Sequence, residues 1–223
     1  MRYTRGEMGS HFSLDSATKI RVLTASGKVE VVGEERSDVE IEPDLRKIEF
    51  KDGGRTLEIK SKSKGVSVRC PIGIDISVGA ISGGVHLRGQ FGSVKVSGVS
   101  GSVDIDSASG DVDARSVSGS VSVNRCDGNC NLHSKSGSIR IGFVQKAASA
   151  FTISGSVDIG TAGRDEVEAH TISGSVRVKI APGRFPRVRL RSLSGRLRSD
   201  IAQGSDFEIK IKTLSGSADI TEL

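Results

Sequence analysis

The sequence contains no tryptophan and one tyrosine, and aromatic residues make up only 4% of it. Rings fill broad globular cores, and they give sugars or unstacked bases a surface to lie on. Their scarcity argues against a wide core, a carbohydrate platform and single-stranded nucleic acid as a partner. Proline is also rare, with 4 residues, whereas glycine reaches 28 of 223. Cys70, Cys126 and Cys130 form an odd set with no disulfide-framework spacing, which fits a reducing compartment. If 126–130 is one extended strand, its two cysteines lie about 13 Å apart, beyond the roughly 7 Å limit for a bridge. Long apolar runs are missing too. No stretch approaches transmembrane length, and Met1 to Ile20 carries Arg2, Arg5, Glu7, Asp15 and Lys19 where a secretory leader would need an apolar segment. The expectation is a cytoplasmic protein, with peripheral membrane or surface association as the alternative.

What remains is Val, Ile, Leu and Ala within a 35% hydrophobic fraction, suited to a thin core between short stacked strands. The net charge of +5 excludes neither an anionic partner nor a plain solvated surface.

A repeat dominates the chain. Gly83, Gly92, Gly101, Gly110, Gly119, Gly128 and Gly137 follow one another at nine-residue intervals, and Gly155, Gly174, Gly195 and Gly216 continue at intervals of 18 to 21. The second and fourth residues after each glycine are apolar, as in Val103 and Ile105 or Val121 and Val123, and the residue between them is polar, as in Asp104 and Ser122. That alternation is a strand with one wet face. A third apolar position lies two residues before the glycine (Val99, Ala108, Val117, Cys126, Ile153, Ile172, Leu193, Leu214) and is expected to point inward as well. Ile105 and Ala108 are an odd number apart, so a corner is expected once per nine residues. The reading is an all-β, single-stranded β-solenoid of the β-helix or β-roll kind, with two short strands per coil of 18 to 21 residues and like strands parallel. Gly83, Gly101, Gly119, Gly137, Gly155, Gly174, Gly195 and Gly216 form one ladder in that order, and Gly92, Gly110 and Gly128 form the opposite one. At about 4.8 Å per rung the ladder is roughly 38 Å long. The glycine serves either a close approach of the two sheets or a positive φ. The adjacent serine is expected to stack along the axis and bond its neighbour's backbone.

Residues 1–16 read as an N-terminal extension, 17–79 as irregular N-terminal coils with a cap and a hairpin turn at Asp52–Gly54, and 80–223 as the regular solenoid. Residues 17–223 form one continuous domain, and the later coils carry corner insertions at 161–167, 181–186 and 202–206.

The sequence LTASGKVEVVGEERSDVEIEP, then CPIGIDISVGAISGGVHL, then the tandem units SGSVDI, SGDVDA, SGSVSV and SGSIRI resemble the bacterial family of domains of unknown function 4097, labelled adhesins. The resemblance spans 17–223. It implies a β-solenoid and brings no catalytic residues.

Candidate chemistry is sparse. Cys126, Cys130 and His133 have a metal-like spacing, but both cysteines occupy core positions of the repeat, so no metal or cofactor is expected. Asp104, Asp113, Asp158 and Asp219 stand mid-strand, not at the turns that a calcium β-roll uses. Asp104 with Asp113 or Asp158 is the carboxylate pair a polysaccharide-acting enzyme would need. The sharpest surface feature is basic: Arg177, Arg187, Arg189, Arg191, Arg196 and Arg198 belong to a stretch with no acid, and a guanidinium ladder suits an anionic polymer. The expected function is a non-enzymatic, adhesin-like binding or scaffold module engaging a protein or anionic polymer through an exposed face. The alternatives are a polysaccharide-acting β-helix enzyme and a structural protein that self-assembles by end or edge stacking.

Overall fold

The computed structural model describes residues 3–5, 10–13, 18–43, 45, 47–162 and 165–223. In chain order the N-terminal strands are β1 (Tyr3–Arg5), β2 (Ser10–Ser13), β3 (Lys19–Ser26), β4 (Val29–Glu34), β5 (Asp38–Glu42), β6 (Ile48–Lys51), β7 (Thr56–Ser61), β8 (Val66–Pro71) and β9 (Asp75–Ser82). The regular array comprises β10 (Val85–Phe91), β11 (Val94–Ser100), β12 (Val103–Ala108), β13 (Val112–Ser118), β14 (Val121–Cys126), β15 (Cys130–Ser136), β16 (Ile139–Val144), β17 (Ala148–Ser154), β18 (Val157–Ala162), β19 (Val167–Ser173) and β20 (Val176–Ile180). β21 (Arg187–Ser194), β22 (Leu197–Ser199), β23 (Glu208–Ser215) and β24 (Ala218–Glu222) complete the chain.

From β9 onward, successive strands alternate between two sheets, so each coil places one strand in each sheet. Like strands stack in parallel 18 residues apart, Val94 beside Val112 and Val103 beside Val121. Sheet A runs β1-β2-β5-β8-β4-β10-β12-β14-β16-β18-β20-β24-β22, and sheet B runs β21-β23-β19-β17-β15-β13-β11-β9-β3-β7-β6. The core is the seam between them. Val121, Val123, Ile139 and Ile141 from sheet A meet Val112, Ala114, Cys130 and Leu132 from sheet B, all essentially fully buried. This is the β-solenoid that the repeat implies.

The rungs are not stacked in chain order at either end. β23 and β24 lie between β19/β20 and β21/β22, so the last coil fills a gap that the chain first skipped, and Gly216 stands between Gly174 and Gly195 in the ladder. At the other end, the coil β3/β4 is flanked by β7/β8 on one side and β9/β10 on the other. Antiparallel strands close that end: β5 pairs with β8, β2 with β5, and β6 with β7 through the Asp52–Gly54 turn. β1 and β2 fall in the stretch that the sequence sets apart as an extension, yet Phe12 is buried and meets Phe50 edge-on at 6.2 Å.

The glycine ladder works along the axis and not across the seam. A Cβ on Gly101 would lie 2.3 Å from the Gly83 carbonyl oxygen, and the residue's φ of +115° is one that a side chain rarely tolerates. Of the two expected reasons, the positive φ holds at six of the eight glycines of this ladder, while the close approach is rung on rung and not between the two sheets. Hydroxyls bond the next rung's backbone from two places: Ser109, beside Gly110, donates to the Phe91 carbonyl at 3.0 Å as expected of the adjacent serine, and the buried residues three before the glycine, Ser134, Thr152 and Thr171, donate to the carbonyls of Gly119, Gly137 and Gly155 at 3.1, 3.1 and 3.3 Å. The serine after the glycine instead bonds its own kind, Ser156 to Ser138 at 3.0 Å and Ser217 to Ser175 at 3.1 Å.

Candidate functional site

The third apolar position points inward in one sheet only. In sheet A the alternation slips before Ala108, Cys126 and Val144, and those side chains are fully buried. In sheet B it runs on unbroken: Val94 and Val96 face in, Gly98 takes the next inward place, and Val99 faces out. The same holds for Ser116, Ser134, Thr152, Thr171 and Thr213, each of which is buried ahead of an outward residue. Ile81, Val99, Val117, Ile153, Ile172, Leu214 and Leu193 are therefore exposed, from 36% at Ile153 to 82% at Leu193. The paired serines that follow them (Ser82, Ser100, Ser118, Ser136, Ser154, Ser173, Ser215, Ser194) hold these residues in one line across the sheet. The stripe is roughly 34 Å long at about 4.8 Å per rung. Lys135 occupies the fourth of the eight positions. Lone exposed apolar residues are ordinary, whereas a line of them broken once, at Lys135, is not.

The six arginines do not share one face. Arg187, Arg189 and Arg191 lie on the outer face of β21 and Arg198 on β22 in the other sheet, while Arg196 sits in the turn between the two strands. These five form a basic collar round the terminal rung. Arg177 is two rungs inward on β20, and the inserted coil places Asp219 between it and Arg198. Acids from neighbouring rungs, and Asp200 just past the stretch, supply partners for three of the six arginines. Arg177 meets Asp158 at 3.2 Å, Arg189 meets Glu208 at 2.8 Å and Arg198 meets Asp200 at 2.6 Å. Glu166, then Glu208, hold the Lys210 ammonium above its ordinary range, and Asp200 does the same for Arg198. Arg187, Arg191 and Arg196 pair with no carboxylate among the described residues. Arg189, Arg191, Lys210 and Lys212 surround a recess of about 210 Å³. Arg177 lines another of about 430 Å³ with Arg140, Lys179 and Asp158, over Gly142 and Gly160.

The carboxylates are dispersed. Asp104 and Asp113 lie on opposite sheets, Asp104 facing His86 at 3.3 Å and Asp113 facing Arg115 at 3.1 Å. Asp158 shares the column of Asp104 but stands three rungs away, beyond Ser122 and Arg140. The cysteines are core residues, as their repeat positions imply. A corner at 127–129 separates Cys126 from Cys130, so the segment is not one extended strand and the thiols meet. The Cys130 thiol donates to the Cys126 sulfur, lowering Cys126 and, together with burial, raising Cys130. Burial pushes Cys70 up to about 12. Among the described residues no helix is long and apolar enough to cross a membrane.

Parallel two-strand coils on a glycine ladder define the class as a β-solenoid. The chain belongs to the Toastrack DUF4097 family, whose sequence signature matches residues 55–221. Among solved structures, a "putative adhesin" from Bacteroides fragilis is 18% identical and similar with a TM-score of 0.57, over 99% of this chain and 98% of that one. A "putative cell adhesion protein" from Clostridium sporogenes is 12% identical with a TM-score of 0.30, over 96% and 100% of the two chains. No curated protein matches the chain.

Proposed function

We propose that this protein is a rigid, non-enzymatic binding module that docks a partner protein along the apolar stripe of sheet B. The observation that carries this reading is the line Ile81, Val99, Val117, Ile153, Ile172, Leu214 and Leu193, apolar side chains held in register on one side of a stiff rod. Repeating surfaces of this kind supply many similar contacts at fixed spacing and suit an extended partner better than a small molecule in a deep pocket. The dispersal of Asp104, Asp113 and Asp158 supports the absence of turnover, because general acid and base must converge on one bond. The adhesion label of the Bacteroides protein agrees with such a role.

A photoreactive residue tests the surface in its native host. Benzoylphenylalanine in place of Val117 should give a discrete protein adduct on irradiation, and the same residue in place of Ser122, on the outer face of sheet A, should not. Adducts that are absent, or identical from both positions, would refute docking along the stripe.

The unpaired arginines favour a second reading, in which the collar holds an anionic polymer. Replacing Arg187, Arg189 and Arg191 by serine should abolish salt-sensitive retention on heparin resin, with the slope of log affinity against log salt falling by roughly two to three. Unchanged retention discards this reading. The same collar sets like charges on an open sheet edge, which opposes end-to-end stacking of two copies.

A further inference from the structure

At the N-terminal end of the stripe, sheet B carries a groove of about 750 Å³ that none of the preceding argument uses. Its floor is Leu23, Ala25, Gly79, Ala80 and Ile81, with Leu45 on one wall. Gly79 faces outward between Leu23 and Ser97 on the neighbouring strands, and the Leu23 side chain leans over it, with Cδ2 2.9 Å from where a Cβ would stand. Lys47, Lys60, Lys62 and Lys64 stand round the rim, and the lining contains no acid. Lys60 is matched by Glu58 at 2.7 Å, whereas Lys47, Lys62 and Lys64 pair with no carboxylate among the described residues.

The rim is pinned in place. The Lys60 amide donates to the Lys47 carbonyl at 3.0 Å, the Ser26 amide to the Lys62 carbonyl at 3.1 Å, and the Ser61 hydroxyl to the Lys64 carbonyl at 2.8 Å. The strands of the floor have no backbone to offer. β3 is paired on both sides, by β9 and β7, and β7 is covered in turn by β6. A peptide laid in the groove would leave its own amides unmatched, which is costly, while an aliphatic chain has none to satisfy. The lining also lacks any aromatic ring for a sugar or base.

We propose that this groove binds one molecule of a long-chain fatty acid, its carboxylate held by Lys47, Lys62 and Lys64 and its tail lying over Leu23, Gly79 and Ile81 toward Val99. The volume falls within the range of about 300–1,000 Å³ of small-molecule sites. The site shares Ile81 with the stripe, so a bound tail and a docked partner would compete at that rung, but its binding is measured without any partner present.

The test uses the full chain and cis-parinaric acid, whose fluorescence rises on entering an apolar site, at concentrations where it is monomeric. Saturable one-to-one binding is expected. Lys47→Gln, Lys62→Gln and Lys64→Gln together should weaken it roughly tenfold or more while leaving parinaric acid methyl ester unaffected. Gly79→Met, whose Cβ would meet Leu23 Cδ2 at 2.9 Å and push that flexible side chain and its own into the groove, should weaken acid and ester alike. Thermal melting of each variant establishes that it is folded. Three results would each overturn the proposal: no saturable binding by the unaltered chain, equal affinity in all folded variants, or binding only to phosphatidylglycerol vesicles. The last would mean a membrane surface and not a single molecule.

Discussion

Valine in place of Gly101 should cost on the order of 4 kcal/mol or more, seen as a lower urea midpoint at unchanged slope. Two effects combine. The residue sits at φ +115°, and its Cβ would lie 2.3 Å from the Gly83 oxygen and 2.6 Å from the Gly83 carbonyl carbon. Those atoms are backbone in a paired rung, so relief requires separating two rungs and losing hydrogen bonds such as Gly83 N–H to Ser100 at 3.2 Å. Gly53 is the control. It has a positive φ of +69° but nothing within 4 Å of its would-be Cβ, so Gly53→Ala should cost only about 1 kcal/mol. Equal losses at the two sites would show that conformation alone, and not rung stacking, explains the repeated glycine.

Deleting residues 207–223 should have an effect of the same order on a different part of the molecule. In a solenoid stacked in chain order, removing the last coil uncovers one neighbour. Here the last coil is interior, with Ile209, Ile211, Ala218 and Ile220 buried between β19/β20 and β21/β22. Burial of each of the three isoleucines contributes about 1.5–3 kcal/mol, and two interfaces vanish together. Limited proteolysis should then cut quickly within 181–199 and leave the array before it protected, with a lower melting temperature. A truncated chain that melts like the intact one and keeps Arg187–Ser199 protected would contradict the rung order.

The repeat announces its architecture because glycine spacing and apolar alternation are both local. Strand existence, parallel stacking and the two glycine ladders follow from Val103, Ile105 and their equivalents without any long-range information. Rung order at the ends does not follow, since a chain that skips a place and returns looks the same in sequence as one that advances. That is why Arg177 and Arg198 look like neighbours when Asp219 lies between them. The stripe did leave a trace. Three residues before the glycine, sheet B strands carry Gly98, Ser116, Ser134, Thr152 and Thr171, small enough to turn inward, whereas the sheet A strand of Cys126 carries Arg125, which cannot. That trace does not separate the two halves by itself, because Ser107 precedes the inward Ala108 of sheet A and is as small as Ser116. The fatty-acid groove was not legible, because its lining comes from segments up to 74 residues apart, from Leu23 to Ser97, within β3, β7, β9 and β11 and the connections between them.

Thiol accessibility tests the central claim directly, namely that one sequence position faces solvent in sheet B and the core in sheet A. Cysteine is placed singly at Val99, Val117, Ile153 or Ile172, and native protein is treated with a maleimide. Cys126 is the internal reference at the equivalent sheet A position, fully buried, and burial denies a reagent contact whatever the thiol's acidity. The account predicts prompt labelling at each introduced position and none at Cys126 until the protein unfolds. Introduced cysteines as protected as Cys126 would mean that no apolar stripe exists, and the docking surface would fall with it.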